Sequence, residues 1–248
     1  MKFIGIIPAR YGSTRFPGKP LADIGGKTVI RRVYEQARLA LDTVVIATDD
    51  ERIYDAVEYF GGKVVMTRAD HTCGTDRCLE AYQSITTPLW REQNDKDTVV
   101  INIQGDEPFI QPEQIEALMA CFGKEDTQIA TLVRPFTDKD SRADLENPNS
   151  PKVNWDIATG EARMFSRKVI AASDGSYFRH IGIYAFRADV LAEVTRLPQS
   201  PLELAERLEQ LRWLENGYNI RVAVTNTPTI GIDTPADLEK AIEFYKNS

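Results

Sequence analysis

Residues 10 to 19 read RYGSTRFPGK: three cations (Arg10, Arg15, Lys19) and two glycines, with no acid among them. The stretch directly follows an apolar run, Phe3-Ile4-Gly5-Ile6-Ile7. A glycine-rich loop at the end of a strand can hold phosphate oxygens with its backbone N–H groups, and cations beside it add charge. Two familiar phosphate loops fail on spacing. A P-loop requires G-x-x-x-x-G-K-[ST], whereas here five residues separate Gly12 from Gly18 and Pro20 follows Lys19. In Gly25-Gly26-Lys27-Thr28, Leu21 stands where the first glycine belongs. The G-x-G-x-x-G pattern is absent as well. The plain alternative is a surface turn with solvated cations. Three cations at one strand's C-terminal end favour a ligand site, because open α/β sheets bind ligands there.

Two aspartates supply the complementary chemistry. Asp106 follows the apolar stretch Val99 to Ile103 on a Gln104-Gly105 turn, and Asp233 follows Thr229 to Ile232 before Thr234-Pro235. A carboxylate at such a position suits Mg²⁺, which takes hard oxygen ligands and keeps waters and phosphates. Each aspartate alone could be a turn or capping residue. Two of them in one sheet, with the cationic loop, point to a joint metal–phosphate site. His71-Thr72-Cys73-Gly74-Thr75-Asp76-Arg77 leads from a strand into a helix. Its N–H groups and Arg77 could face an anionic or polyhydroxyl ligand, or it could be an N-cap with a surface ion pair. His180 lies in an alternating strand, where a lone histidine is usually structural.

The elements that must position these residues alternate. Phe3–Ile7, Thr43–Ala47, Lys63–Thr67 and Thr98–Ile103 read as strands. Between and after them 28–41, 50–60, 75–84 and 112–122 read as helices. This rhythm predicts an α/β fold with a doubly wound, mostly parallel sheet in one domain spanning 1–248. Near Pro135 the pattern changes. Turn-rich polar segments and strand-like pieces around 152–156, 162–165 and 180–186 predict an antiparallel insertion at about 135–190. Its strand edges would suit pairing with a second subunit. One helix is expected from Ser200-Pro201 to Asn216-Gly217, then strands at 220–224 and 229–232 and a last helix capped by Thr234.

Bulk composition narrows the function. With 248 residues, 42% of them hydrophobic, the chain can bury a sizeable core. Its net charge of -7 argues against nucleic acid or an anionic membrane as partner, while the cation-rich first residues argue for a small anionic ligand. No apolar run approaches a membrane span. Cys73, Cys78 and Cys121 fit no disulfide framework and no CxxC zinc pattern, which suits a reducing compartment, the cytoplasm.

Taken in order, IPARYGSTRFPGKPL, ATDDERI, HTCGTDR, INIQGDEP, RHIGIYAFR, ERLEQLRWLENG and GIDTPADLEKA resemble the CMP-Kdo synthetase family, the 3-deoxy-manno-octulosonate cytidylyltransferases of lipopolysaccharide synthesis. The likeness covers almost the whole chain. Cys73 departs from it, since the family usually has serine there. The resemblance implies a nucleotidyltransferase-like fold and a homodimer joined through the insertion. It implies that Arg10 and Lys19, with the backbone from Ala9 to Ser13 and, more weakly, Arg15, hold the triphosphate of CTP. Asp106 and Asp233 would bind Mg²⁺. Arg77, Gln104, His180, Tyr184 and Glu209 would line the Kdo pocket, with Gly74 and Thr75 near the nucleoside. The implied reaction is CTP plus Kdo giving CMP-Kdo and pyrophosphate. Rival readings are a cytidylyltransferase for 8-amino-Kdo or a sialic acid, a metal-dependent glycosyltransferase, and a nucleotide-sensing module without turnover.

Overall fold

The N-terminal apolar run forms strand β1 (Lys2–Ala9), whose interior is buried. A computed structural model of the chain describes residues 1–247. They group into two units, Met1–Ile115 with Thr229–Ser248, and Glu116–Pro228.

In the first unit a short hairpin, β2 (Asp23–Ile24) and β3 (Lys27–Thr28), leads into α1 (Val29–Ala40). Val29, Val33 and Ala37 recur at four-residue spacing and are buried, so α1 turns one apolar stripe inward. Then follow β4 (Val44–Thr48), α2 (Glu51–Tyr59), β5 (Val64–Met66), α3 (Gly74–Ile85), α4 (Pro88–Asn94) and β6 (Thr98–Asn102). Periodicity did not predict α4, which is too short to display it. Its Thr87 cap and Pro88 are the legible signal. Strands β4 and β6 are buried throughout, as parallel strands covered on both faces are.

These strands pair in parallel in the order β5-β4-β1-β6. Ala9 pairs with Thr48 and Ile6 with Asn102, so β1, β4 and β6 end at one edge of the sheet. The loops bearing Arg10 to Lys19, Asp49-Asp50 and Gln104 to Asp106 therefore leave from the same edge.

The C-terminal segment also belongs to this unit. Thr234 and Asp237 form a capping box that opens α10 (Pro235–Lys246). Ile24, Val29, Ile232 and Ala241 make a buried cluster against which Phe16 and Leu238 pack. The opening loop and the segment bearing Asp233 are thus pinned to one apolar core. Residues 229–232 do not form the expected strand. The Ile232 N–H instead donates to the Asp106 carbonyl at 2.9 Å, a single tie rather than a ladder.

Helix α5 (Pro112–Cys121) spans the division between the units. The second unit contains β7 (Ile129–Pro135), α6 (Arg142–Glu146), β8 (Lys152–Asp156), β9 (Glu161–Ser166), β10 (Phe178–Arg187) and α7 (Ala188–Val194). It ends with α8 (Pro201–Glu206), α9 (Gln210–Glu215) and β11 (Ile220–Val224). Its strands run in the order β10-β7-β11-β9-β8. Pairing is antiparallel except between β7 and β11. Strand β8 also meets β10 at Lys152 and Arg179, so the free edges expected of this segment are partly closed.

The single helix expected from Pro201 to Glu215 is two. Arg207 adopts a left-handed conformation, φ 54°, between α8 and α9. Arg167 holds the break, its guanidinium donating to the Glu206 and Arg207 carbonyls while the Glu206 carboxylate accepts from the Arg167 N–H. Leucine spacing cannot reveal such a break, because its cause lies outside the helix. No helix among the described residues is long and apolar enough to cross a membrane.

One glycine controls how closely the β6 loop approaches β1. A methyl group on Gly105 would lie 2.7 Å from the Pro8 carbonyl oxygen, a contact real side chains do not make. Gly105→Ala should therefore destabilise the protein by about 1–3 kcal/mol, the usual cost of overpacking. Urea unfolding checks this, and an unchanged midpoint would mean that the loop has room to shift.

Candidate active site

The side chains that sequence reasoning singled out in the first unit meet. Lys19 Nζ lies 2.5 Å from Asp106 Oδ2 and 3.3 Å from Asp233 Oδ1, and the Arg15 guanidinium lies 2.8 Å from Asp233. They line a cavity of about 410 Å³, together with Ala9, Arg10, Gly74, Arg77 and Gln104. Arg10 is exposed at its wall. Thr75 is buried in the first turn of α3 and is not part of the lining.

The two aspartates come from distant parts of the chain, and the tie between Ile232 and Asp106 sets their spacing. Among the described residues no group of three or more His, Cys, Asp or Glu could hold a metal ion. Two carboxylates are what this site offers. That donor set fits Mg²⁺, which is commonly held by one or two carboxylates and fills its other positions with water and substrate phosphate. Neighbouring Glu107 is a different kind of acid. Burial, helped by the Asp106 charge, pushes its carboxyl up to about 8, and its Oε2 is buried without a hydrogen-bond partner. At neutral pH Glu107 therefore adds little negative charge to the turn.

The opposite wall comes from the start of α3. Cys73 caps this helix, its Sγ accepting from the Asp76 N–H at 3.5 Å. The thiol so fills the capping role of a hydroxyl. Arg77 is 3% exposed, and its guanidinium donates to Asp49 at 2.9 Å and to the Thr67 hydroxyl. His71, also at the cavity, is held by Glu80. Asp49 was missed as a positioning group. Its signal was legible: an acidic pair directly after a strand, Val44–Thr48, that is apolar but for its last residue.

His180, Tyr184 and Glu209 lie in the second unit. His180 Nε2 is 2.9 Å from the Thr131 hydroxyl, and its ring packs against Phe165 and Tyr184 at centroid distances of 5.1 and 5.2 Å. The Tyr184 hydroxyl is buried without a partner, as are Gln210 Nε2 and Trp213 Nε1. Burial raises the Tyr184 pKa, with Glu209 adding to the effect. Glu209 accepts from Arg212 at 3.1 Å. A buried, unpartnered donor such as Gln210 Nε2 or Trp213 Nε1 leaves no mark in sequence.

Desolvation holds His180 down at about 3, against an ordinary value near 6.5. The folded protein thus refuses a proton that the unfolded chain accepts. Stability is lost as pH falls below about 6.5, by roughly 2 kcal/mol at pH 5. Between pH 7 and 5, wild type should lose about that much more unfolding free energy than His180→Gln. Equal losses in urea titrations would show that His180 titrates normally.

The cytidylyltransferase family model matches residues 4–221. The 3-deoxy-manno-octulosonate cytidylyltransferase of Parabacteroides distasonis is 57% identical over 258 residues, covering 100% of this chain and 99% of the relative. The enzyme of the same name from Bacteroides thetaiotaomicron is 58% identical over 261 residues, with the same coverage. A solved CMP:2-keto-3-deoxy-manno-octonic acid synthetase complexed with CTP superposes with a TM-score of 0.88 at 40% identity, over 100% of this chain and 99% of that one. A 4-diphosphocytidyl-2C-methyl-D-erythritol synthase from Anaerococcus prevotii, at a TM-score of 0.61 and 13% identity over 99% of both chains, shares the fold. Matched along its whole length at such identities, the chain belongs to the cytidylyltransferase family, among the 3-deoxy-manno-octulosonate cytidylyltransferases.

Proposed function

We infer that the protein transfers the cytidylyl group of CTP to 3-deoxy-manno-octulosonate (Kdo), giving CMP-Kdo and pyrophosphate for lipopolysaccharide synthesis. The observation that carries this reading is Lys19 between Asp106 and Asp233 in a cation-walled cavity. Four cations, Arg10, Arg15, Lys19 and Arg77, around one cavity of an acidic protein suit an anionic ligand.

In this reading the triphosphate lies along the opening loop. Lys19 and Arg10 offset its charge, and Arg15 supports them from Asp233. Asp106 and Asp233 hold Mg²⁺, which when bound neutralises phosphate charge and acts as a Lewis acid. For the sugar acid we propose Arg77 and Gln104 at the cavity of the first unit; His180, Tyr184 and Glu209, which the family resemblance assigns to sugar binding, lie in the second unit. With its pKa so low, His180 works as a neutral hydrogen-bonding group, not as a cation for the sugar carboxylate. Gly74 and Thr75 are assigned to the nucleoside side.

The anomeric oxygen of the sugar acid bonds to the α-phosphorus as the bond to the bridging oxygen of pyrophosphate breaks, and the hydroxyl proton leaves to solvent. No protein nucleophile takes part. Catalysis rests on positioning and on charge placed where it develops. We also propose that the protein works in the cytoplasm as a homodimer joined through the 135–190 segment, where Ile157, Val169 and Tyr177 are each about 40% exposed.

Pyrophosphate release from CTP and Mg²⁺ tests the reading, with Kdo, 8-amino-Kdo and N-acetylneuraminate as separate acceptors and an EDTA control. EDTA-sensitive release with Kdo is expected. Release with another acceptor alone would move the substrate, and no release despite CTP binding would overturn the enzyme reading. Asp106→Asn should abolish release while the circular dichroism and melting of the fold persist. A folded variant with near-normal turnover would refute the metal assignment.

A further inference from the structure

Of the segment ATDDERI only Asp49 has entered the account above, through Arg77, yet its Arg52 touches the opening loop. The Arg52 guanidinium carbon lies 3.3 Å from the centre of the Tyr11 ring. Arg52 is not placed there by chance packing. Asp50, the N-cap of α2, accepts from both the Arg52 N–H and its guanidinium, at 3.0, 2.9 and 2.6 Å. A bidentate carboxylate fixes the plane and direction of a guanidinium better than a single contact does.

Gly18 also abuts the ring. Its φ is +74°, and a methyl group there would lie 2.9 to 3.1 Å from Tyr11 ring and hydroxyl atoms. The Tyr11 ring therefore meets both a guanidinium and a residue with no room for a side chain. The backbone closes the same loop, since the Tyr11 carbonyl accepts from the Ser13 and Gly18 N–H groups at 2.9 Å each. Gly18 immediately precedes Lys19.

We propose that Arg52 is a positioning residue for the nucleotide: it packs on the Tyr11 ring, which abuts Gly18, and so fixes the loop that presents Lys19 to the cavity. This rests on reading the cavity as the CTP site. Arg52 touches neither Lys19 nor the two aspartates, so its effect must pass through the loop. It should appear in the binding of CTP and not in the binding of the sugar acid or in the chemical step. Stacked cations at partly exposed sites have modest effects.

The test combines equilibrium CTP binding with steady-state kinetics on the full-length protein. Arg52→Ala should weaken CTP binding and raise the KM for CTP about fivefold, or about 1 kcal/mol. The kcat, the KM for Kdo and the melting temperature should stay near wild type. Arg52→Lys should restore part of the loss. Tyr11→Phe, which keeps the ring, should resemble wild type, and Tyr11→Leu should resemble Arg52→Ala. Adding Arg52→Ala to Tyr11→Leu should cost little more. An unchanged KM for CTP in Arg52→Ala overturns the inference, as does an equal rise for both substrates or full additivity with Tyr11→Leu. A wild-type protein that fails to bind CTP overturns the underlying reading as well, so the two failures are told apart by the wild-type control.

Discussion

Much of the first unit is arranged around one cation between two carboxylates. Asp106 and Asp233 face the same cavity, and two like charges held there would repel each other without a counter-charge. Lys19 supplies it from within 2.5 and 3.3 Å, and Arg15 adds a second contact to Asp233. The same carboxylates are the hard oxygen donors a magnesium ion would use, and the same cations are those a triphosphate would use. On this account the ligand-free site neutralises itself, and ligand binding would exchange partners: Asp106 and Asp233 would pass from lysine to the metal, and Lys19 from the carboxylates to phosphate.

Apolar packing makes that arrangement possible. Phe16 from the opening loop joins Ile24, Val29, Ile232 and Ala241, so the loop and the Asp233 segment share a core. Gly105 lets the Asp106 loop pass close to the end of β1, and the Ile232 N–H ties that loop to the C-terminal segment. Parallel pairing of β1 with β4 and β6 does the rest, by ending three strands at one edge.

The alternation of apolar runs with amphipathic stretches made the parallel strands of the first unit legible, because both signals are local. The cations of the opening loop and the two aspartates were legible as chemistry for the same reason: each sits directly after a run expected to be extended. Two of the failures were non-local and one was a matter of length. The break at Arg207 depends on Arg167, the loss of a strand at 229–232 depends on Asp106, and the short helix α4 lacks the length to show a period. Asp49 could have been read from its place after β4. Gln210 and Trp213 could not, since what distinguishes them is burial without a partner.

The exchange of partners at Lys19 can be measured without turnover. Mn²⁺ can stand in for Mg²⁺, and its electron paramagnetic resonance signal reports the free ion during titration of wild type and Lys19→Met in the absence of nucleotide. If Lys19 competes with metal for Asp106 and Asp233, the variant binds Mn²⁺ several-fold more tightly than wild type while binding CTP more weakly. Metal affinity that is unchanged or reduced in the variant would contradict the account, because the carboxylates would then not be the shared partner of lysine and metal.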